Sequence, residues 1–345
     1  MGIGMDLRDG DLAYRINFAT ADGSAIVDRR VGRSLTSDES RALADEVNER
    51  ITLPDATCTL VATVEHRGAL TIRAGVPLSA AVSNTDPAYR RVGHLGVALE
   101  TFEPVVGVAE ALEDTAAARL AADLTNEFVR RSAAVLDASE VNAARRAAGE
   151  PPANVVLTRD AGDHLPDLEP IAERFGMPWG CFVEMPVERG IAIALGMEPV
   201  DVPRLDPAGT GPAAETAYAV WADLAAEALQ QFRAVYVHLK GPDVPAHDGR
   251  AEDKRDVIAS IDRAFFGEVL PRLDPARTVI AVTGDHSTSC IRAAHTADPV
   301  PLLISGGPVT PDGSDAFGER ACSAGSLGEL LGPRIMPRLA QVVLA

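Results

Sequence analysis

The second half of the chain alternates short apolar runs with helix-forming stretches, and this alternation restricts the fold more than any other feature. The runs are "ANVVLT" (153–158), "CFVEM" (181–185), "AVYVHL" (234–239), "TVIAVT" (278–283) and "PLLIS" (301–305). They are short and mostly β-branched, as strands buried on both faces are. Helical stretches separate them at about 167–175, 189–197, 213–232 and 253–272. Strand–helix–strand grammar predicts an α/β fold with a mostly parallel, doubly wound sheet.

The first half has a different pattern. "AYRINFATA" (13–21) and "AIVDRRV" (25–31) suit strands about a "DGS" turn. "SDESRALADEVNER" (37–50) opens with a cap-like serine and acids in its first turn, a helix signature. "TCTLVATVEHRGALTIRA" (57–74) reads as a hairpin turning near "HRG", and an Ala-rich helix follows at about 115–136. The expectation is a smaller α+β domain over 1–145 and an α/β core over 146–345. The boundary falls in "AARRAAGEPPAN", where a Gly and a Pro pair interrupt the pattern.

Charge narrows the partners. The net charge is −18, and only Lys240 and Lys254 among the 32 basic residues are lysines. Polyphosphate binding needs a basic face, so nucleic acid is excluded as an expected partner. No apolar run is long enough for a bilayer, and no secretion signal opens the chain, so the expected place is the cytoplasm. Cys58, Cys181, Cys290 and Cys322 form no CxxC pair, which argues against a zinc knuckle or redox motif.

In an open parallel sheet, ligands bind beyond the carboxyl ends of the strands. "AVYVHL" runs on to Asp243 and His247; "TVIAVT" runs into Asp285 and His286; His295 stands before "PLLIS". Carboxylates with imidazoles suit manganese, zinc or a similar divalent ion. Five such groups are too many for one tetrahedral ion and suit a two-metal site that polarises a phosphoryl group. Upstream, Arg15 lies on an expected strand, Arg29, Arg30 and Arg33 follow the next, and His66 with Arg67 caps the hairpin. Guanidinium forks match phosphate and carboxylate oxygens.

"HLKGPDVPAHDG", "IAVTGDHST" and "HTADPVPLLISGG" resemble the alkaline phosphatase superfamily. More closely, they resemble the archaeal-type 2,3-bisphosphoglycerate-independent phosphoglycerate mutases. "GDLAYRINFAT", "DRRVGR", "EHRGAL", "PPANVVLTRDAG" and "ERACSAGSLG" follow that family's pattern in the same order. The resemblance implies an isomerase of lower glycolysis and gluconeogenesis acting on a small phosphoglycerate through a phosphoserine intermediate. It implies two divalent metals, manganese foremost, with zinc, magnesium or cobalt as alternatives. Asp243, His247 and His295 would hold one, and Asp285 and His286 the other. Arg15, Arg67, His66, Arg29 and Arg30 would grip substrate from a lid expected to close over it. Arg189, where relatives tend to carry a lysine, and Lys240 would stand on the phosphate side.

The sequence also departs from the family. A first core strand, a metal-binding Asp and a "GSDTAH"-like segment with the nucleophilic serine are expected upstream of the "GIGMDLRDGDLAYR" equivalent, and they are not found here. Without that strand an edge of the sheet is expected to stay open. A late start, a partner chain bearing the segment and a non-catalytic ligand-binding relative are the three alternatives. Thr283, Ser287, Thr288 and Ser289 surround Asp285 but read as local loop hydroxyls. Ala246 and Asp160 occupy positions where glycine is usual in the family. Asp160 brings a negative charge near the expected anion site, which suits a different phosphorylated or phosphonate metabolite as the alternative substrate of a phosphotransferase or phosphohydrolase.

Overall fold

A computed structural model describes residues 2–92, 95–99, 101–165, 167–205 and 210–344. The chain divides into two compact units, Met1–Asp167 and Leu168–Ala345.

Strand β1 (Leu12–Asp22) organises the first unit. Alternation along it sends Leu12, Tyr14, Ile16 and Phe18 into one core, together with Leu43, Val47 and Phe128. Each such side chain removed from water contributes about 1.5–3 kcal/mol. The same alternation assigns Arg15 and Asn17 to the opposite face of the sheet. β1 pairs with β2 (Ala25–Asp28) and with β4 (Arg67–Ala74), which pairs with β3 (Ala56–Ala62), all antiparallel.

Helix α1 (Ser37–Arg50) starts one residue earlier than a cap at Ser37 suggests. Thr36 is the cap: its hydroxyl accepts the Glu39 N–H at 3.2 Å, and Glu39 Oε2 accepts the Thr36 N–H at 2.8 Å. A hairpin of β5 (Tyr89–Val92) and β6 (Leu95–Ala98) had no clear signal in the sequence. Helices α2 (Ala116–Asp137) and α3 (Glu140–Ala147) follow.

The run "ANVVLT" does not join a parallel sheet. It becomes β7 (Val155–Gly162), antiparallel to β1, and so extends the first sheet. The compact units therefore divide at 167/168, after β7, rather than at 145/146. Arg15 lies opposite Arg159, and the register then slips between Ala13 and Arg15. Asp160 sits at this bulge with φ +57°, a left-handed position that usually takes glycine. Its Oδ1 is buried without a hydrogen-bond partner, and its Oδ2 lies 3.7 Å from Arg15 Nη1. An ion pair to so exposed an arginine contributes little. Asp160→Gly is expected to raise unfolding stability by about 1 kcal/mol, readable in urea titration. A loss of stability would show that the carboxylate is a net structural asset.

In the second unit, α4 (Ile171–Phe175) leads to β8 (Trp179–Phe182), α5 (Pro186–Ala194), β9 (Glu198–Pro199), α6 (Pro212–Ala228) and β10 (Ala234–Val237). The strands form a parallel sheet in the order β10-β8-β9. Tyr218 and Trp221 of α6 pack with Phe182, Val257 and Phe265 to make this unit's core. Next come α7 (Asp243–His247) and α8 (Ala251–Ile261). β11 (Ile280–Thr283) pairs antiparallel with β14 (Leu302–Ser305). Between them lies a small hairpin, β12 (Ser287–Ser289) with β13 (Ala294–Thr296). Among the described residues β10 pairs only with β8, and β11 only with β14, so each keeps one free edge. No described helix is long and apolar enough to cross a membrane.

Candidate functional site

The segment after β10 closes in a single helical turn. Asp243 and His247 are its first and last residues, and a spacing of four puts both on one face. Ala246 adopts ordinary helical geometry, is buried and has no positive φ, so the usual glycine is not required there. The β12–β13 hairpin brings up His295. His247 Nε2 lies 3.1 Å from His295 Nε2, and Asp243 Oδ1 lies 3.5 Å from His247 Nε2 and 3.6 Å from His295 Nε2. Ligand atoms held about 2.1 Å from a tetrahedral ion stand about 3.4 Å apart, so this triangle has the dimensions of a metal face. Two imidazoles and one carboxylate suit a borderline divalent ion.

A neighbouring backbone group fixes one ring. His247 Nδ1 faces the Ala293 carbonyl at 3.2 Å. A carbonyl only accepts, so this nitrogen carries the ring proton and Nε2 keeps its lone pair for a metal. Ala293 itself has φ +49°, a conformation costly for alanine.

Asp285 and His286 lie at the end of β11. Asp285 Oδ2 is 3.3 Å from His286 Nε2 and 3.7 Å from His238 Nε2. His238, not among the expected ligands, directly follows β10 and meets the same strand-end criterion as they do. His286 also stacks on His295, with ring centroids 3.8 Å apart. All five expected metal-type residues are thus gathered in one region of the second unit, with His238 beside them.

The other expected cations of this unit are engaged by acids. Lys240 Nζ donates to Glu188 Oε1 at 2.7 Å, and Arg189 Nη2 lies 3.5 Å from Asp201 Oδ1. A phosphate group must displace those partners to reach either one.

In the first unit, the "DRRVGR" segment adopts three successive left-handed residues, Val31 (φ +53°), Gly32 (φ +63°) and Arg33 (φ +56°). For a buried valine this is strain, of a kind that clusters at functional sites. The charges of Arg67, Arg30 and Arg33 act on His66, which is buried and whose Nδ1 has no hydrogen-bond partner. Asn17, opposite Arg67 in the sheet register, is also buried with an unpartnered Oδ1. Asn17 lies in "RINFAT" but is not among the residues expected at the site. Arg29, expected as a substrate contact, is engaged by an acid of its own unit. Its Nε and Nη2 donate to the two oxygens of buried Asp86 at 2.9 and 2.6 Å, and the rings of Tyr89 and Phe102 flank it.

Burial, followed by the charges of Arg67, Arg30 and Arg33, lowers the His66 pKa to about 4. The unfolded chain binds that proton near its ordinary value of about 6.5, so below that pH protonation favours unfolding. The His66 contribution is complete above about pH 6.5 and is lost as pH falls toward 4. Between pH 7 and pH 5 it amounts to about 2 kcal/mol. Urea titrations at both pH values are expected to show that loss in the wild type and not in His66→Gln. Equal losses in both chains would contradict it.

Residues 1–142 match the family model described as 2,3-bisphosphoglycerate-independent phosphoglycerate mutase, and residues 192–340 match the metalloenzyme superfamily. Curated relatives bear the first of these names. The Aeropyrum pernix protein is 44% identical over 98% of this chain and 80% of its own length. The Methanopyrus kandleri protein is 38% identical over 97% of this chain and 76% of its own. Among solved structures, a Pyrococcus horikoshii protein matches with a TM-score of 0.78 at 27% identity, covering 99% of this chain and 76% of that one. The cofactor-independent phosphoglycerate mutase of Thermoplasma acidophilum matches with a TM-score of 0.65 at 28% identity, covering 99% and 80%. With likeness of this degree along nearly its whole length, the chain belongs to the 2,3-bisphosphoglycerate-independent phosphoglycerate mutase family.

Proposed function

We propose that this protein interconverts 3-phosphoglycerate and 2-phosphoglycerate without bisphosphoglycerate, using two divalent metal ions, manganese foremost, in the cytoplasm. The observation that carries the reading is the triangle of Asp243, His247 and His295. These three residues would hold one ion, and Asp285 and His286, with His238 alongside, the other. A divalent ion at such a site supplies positive charge that draws electron density from a phosphoryl oxygen. The residues of this chain would prepare the site for that charge. The Ala293 carbonyl holds His247 in the tautomer that leaves Nε2 free. Arg30, Arg33 and Arg67 supply positive charge for an anionic carboxylate or phosphate, and the unpartnered His66 Nδ1 and Asn17 Oδ1 are buried polar atoms in the same unit. Arg15 acts in the same unit, with Asp160 as its counter-ion. Arg29 holds the site's framework through Asp86 rather than gripping substrate.

The test is conversion of 3-phosphoglycerate with manganese and no bisphosphoglycerate, run beside calorimetric titration of 3-phosphoglycerate. Manganese-dependent conversion and binding support the reading. A chain that takes up neither manganese nor phosphoglycerate overturns it. A second reading, turnover of a different phosphorylated or phosphonate metabolite, is favoured by Asp160, whose carboxylate offsets one positive charge at Arg15. A substrate panel separates the two.

A further inference from the structure

We propose that Thr288 is the positioning residue that ties the two metal-type groups together, its hydroxyl setting the tautomer of His286 while it orients the carboxylate of Asp243. The proposal rests on the reading of these residues as metal ligands.

Two contacts converge on the Thr288 hydroxyl and a third involves its backbone; the residue is only 6% exposed. Thr288 Oγ1 donates to Asp243 Oδ1 at 2.7 Å. Its one proton is thereby committed, since an ionised carboxylate only accepts. His286 Nδ1 lies 3.1 Å from the same oxygen. With the hydroxyl proton already used, this second hydrogen bond requires Nδ1 to be the donor. His286 therefore carries its proton on Nδ1, and its Nε2, beside Asp285, keeps the lone pair a metal needs. The third contact is through the backbone: Thr288 lies directly opposite His295 in the β12–β13 hairpin. Lys254 Nζ donates to the Thr288 carbonyl at 2.9 Å and holds the strand in place.

A relay therefore runs from His286 Nδ1–H through the Thr288 hydroxyl to Asp243, and it joins a residue of each metal-type group. Hydroxyl or carboxylate partners of this kind fix ring orientation and ligand basicity, and their loss typically weakens metal binding about 10–100-fold.

The experiment compares wild type, Thr288→Val and Thr288→Ser. Valine keeps the branched shape and removes the hydroxyl, and serine keeps the hydroxyl. Two-bond 15N–1H correlation of the imidazoles, recorded without metal, reads the tautomer. His286 is expected as the Nδ1–H form in wild type and Thr288→Ser, and as Nε2–H or a mixture in Thr288→Val. Manganese titration is expected to give about 10–100-fold weaker binding in Thr288→Val, restored largely by serine. A Thr288→Val protein with the wild-type tautomer and wild-type manganese affinity overturns the proposal. A wild-type protein that takes up no manganese overturns the metal reading itself and the role of Thr288 toward it, even where the tautomers follow the relay.

Discussion

Replacing His247 with alanine is expected to lower manganese affinity by at least about 100-fold while leaving the thermal midpoint nearly unchanged. Losing a ligand should cost no less than losing a residue that orients one, for which about 10–100-fold is typical. The stability side follows from exposure: the His247 side chain is 42% exposed and covers no core. Substitutions at such positions usually stay within about 0.5 kcal/mol. The combination separates a ligand from a structural histidine. Metal analysis of the purified variant beside calorimetric scanning reads both quantities, and stoichiometric manganese in His247→Ala would remove this residue from the site.

The second large effect is on folding. Asp86→Ala is expected to cost about 3–5 kcal/mol, because it leaves the Arg29 guanidinium buried without its counter-charge. The Asp86 side chain is 0% exposed and that of Arg29 15% exposed, and both carboxylate oxygens are used. Asp86 Oδ1 also accepts the Ala88 N–H at 3.2 Å. Tyr89 and Phe102 lie 5.4 and 5.6 Å from the guanidinium carbon and limit its access to water. Urea titration measures the loss. A change below about 1 kcal/mol would put the pair in the class of screened surface bridges and reopen Arg29 as a substrate contact.

The contrast between Arg29 and His247 marks what the sequence could reveal. The gathering of Asp243, His247, Asp285, His286 and His295 in one region was legible because strand ends are local features. Helix α1 and the β3–β4 hairpin were legible for a related reason: caps, turns and periodicity act over a few residues. The partners of cations were not legible. Asp86 lies 57 residues from Arg29, and Glu188 lies 52 from Lys240, so only the fold brings them together. The placement of β7 failed for another reason. A buried strand has the same apolar run whether its neighbour is parallel or antiparallel. Thr288 was read as a local loop hydroxyl because nothing in "GDHSTS" announces that its hydroxyl meets Asp243. The strain at Val31 and Arg33 was equally silent, since only Gly32 hints at a positive φ.

The most direct test of the metal assignment is a zinc titration of the 15N-histidine-labelled chain, followed by imidazole resonances. The expected result is that the Nε2 signals of His247 and His295 shift together at the first equivalents while His247 Nδ1 keeps its proton. His164, exposed and paired with Asp163 at 2.6 Å, should stay unchanged. Zinc uptake that leaves His247 and His295 unmoved, or that shifts His164 equally, would contradict the metal site on which the proposed activity depends.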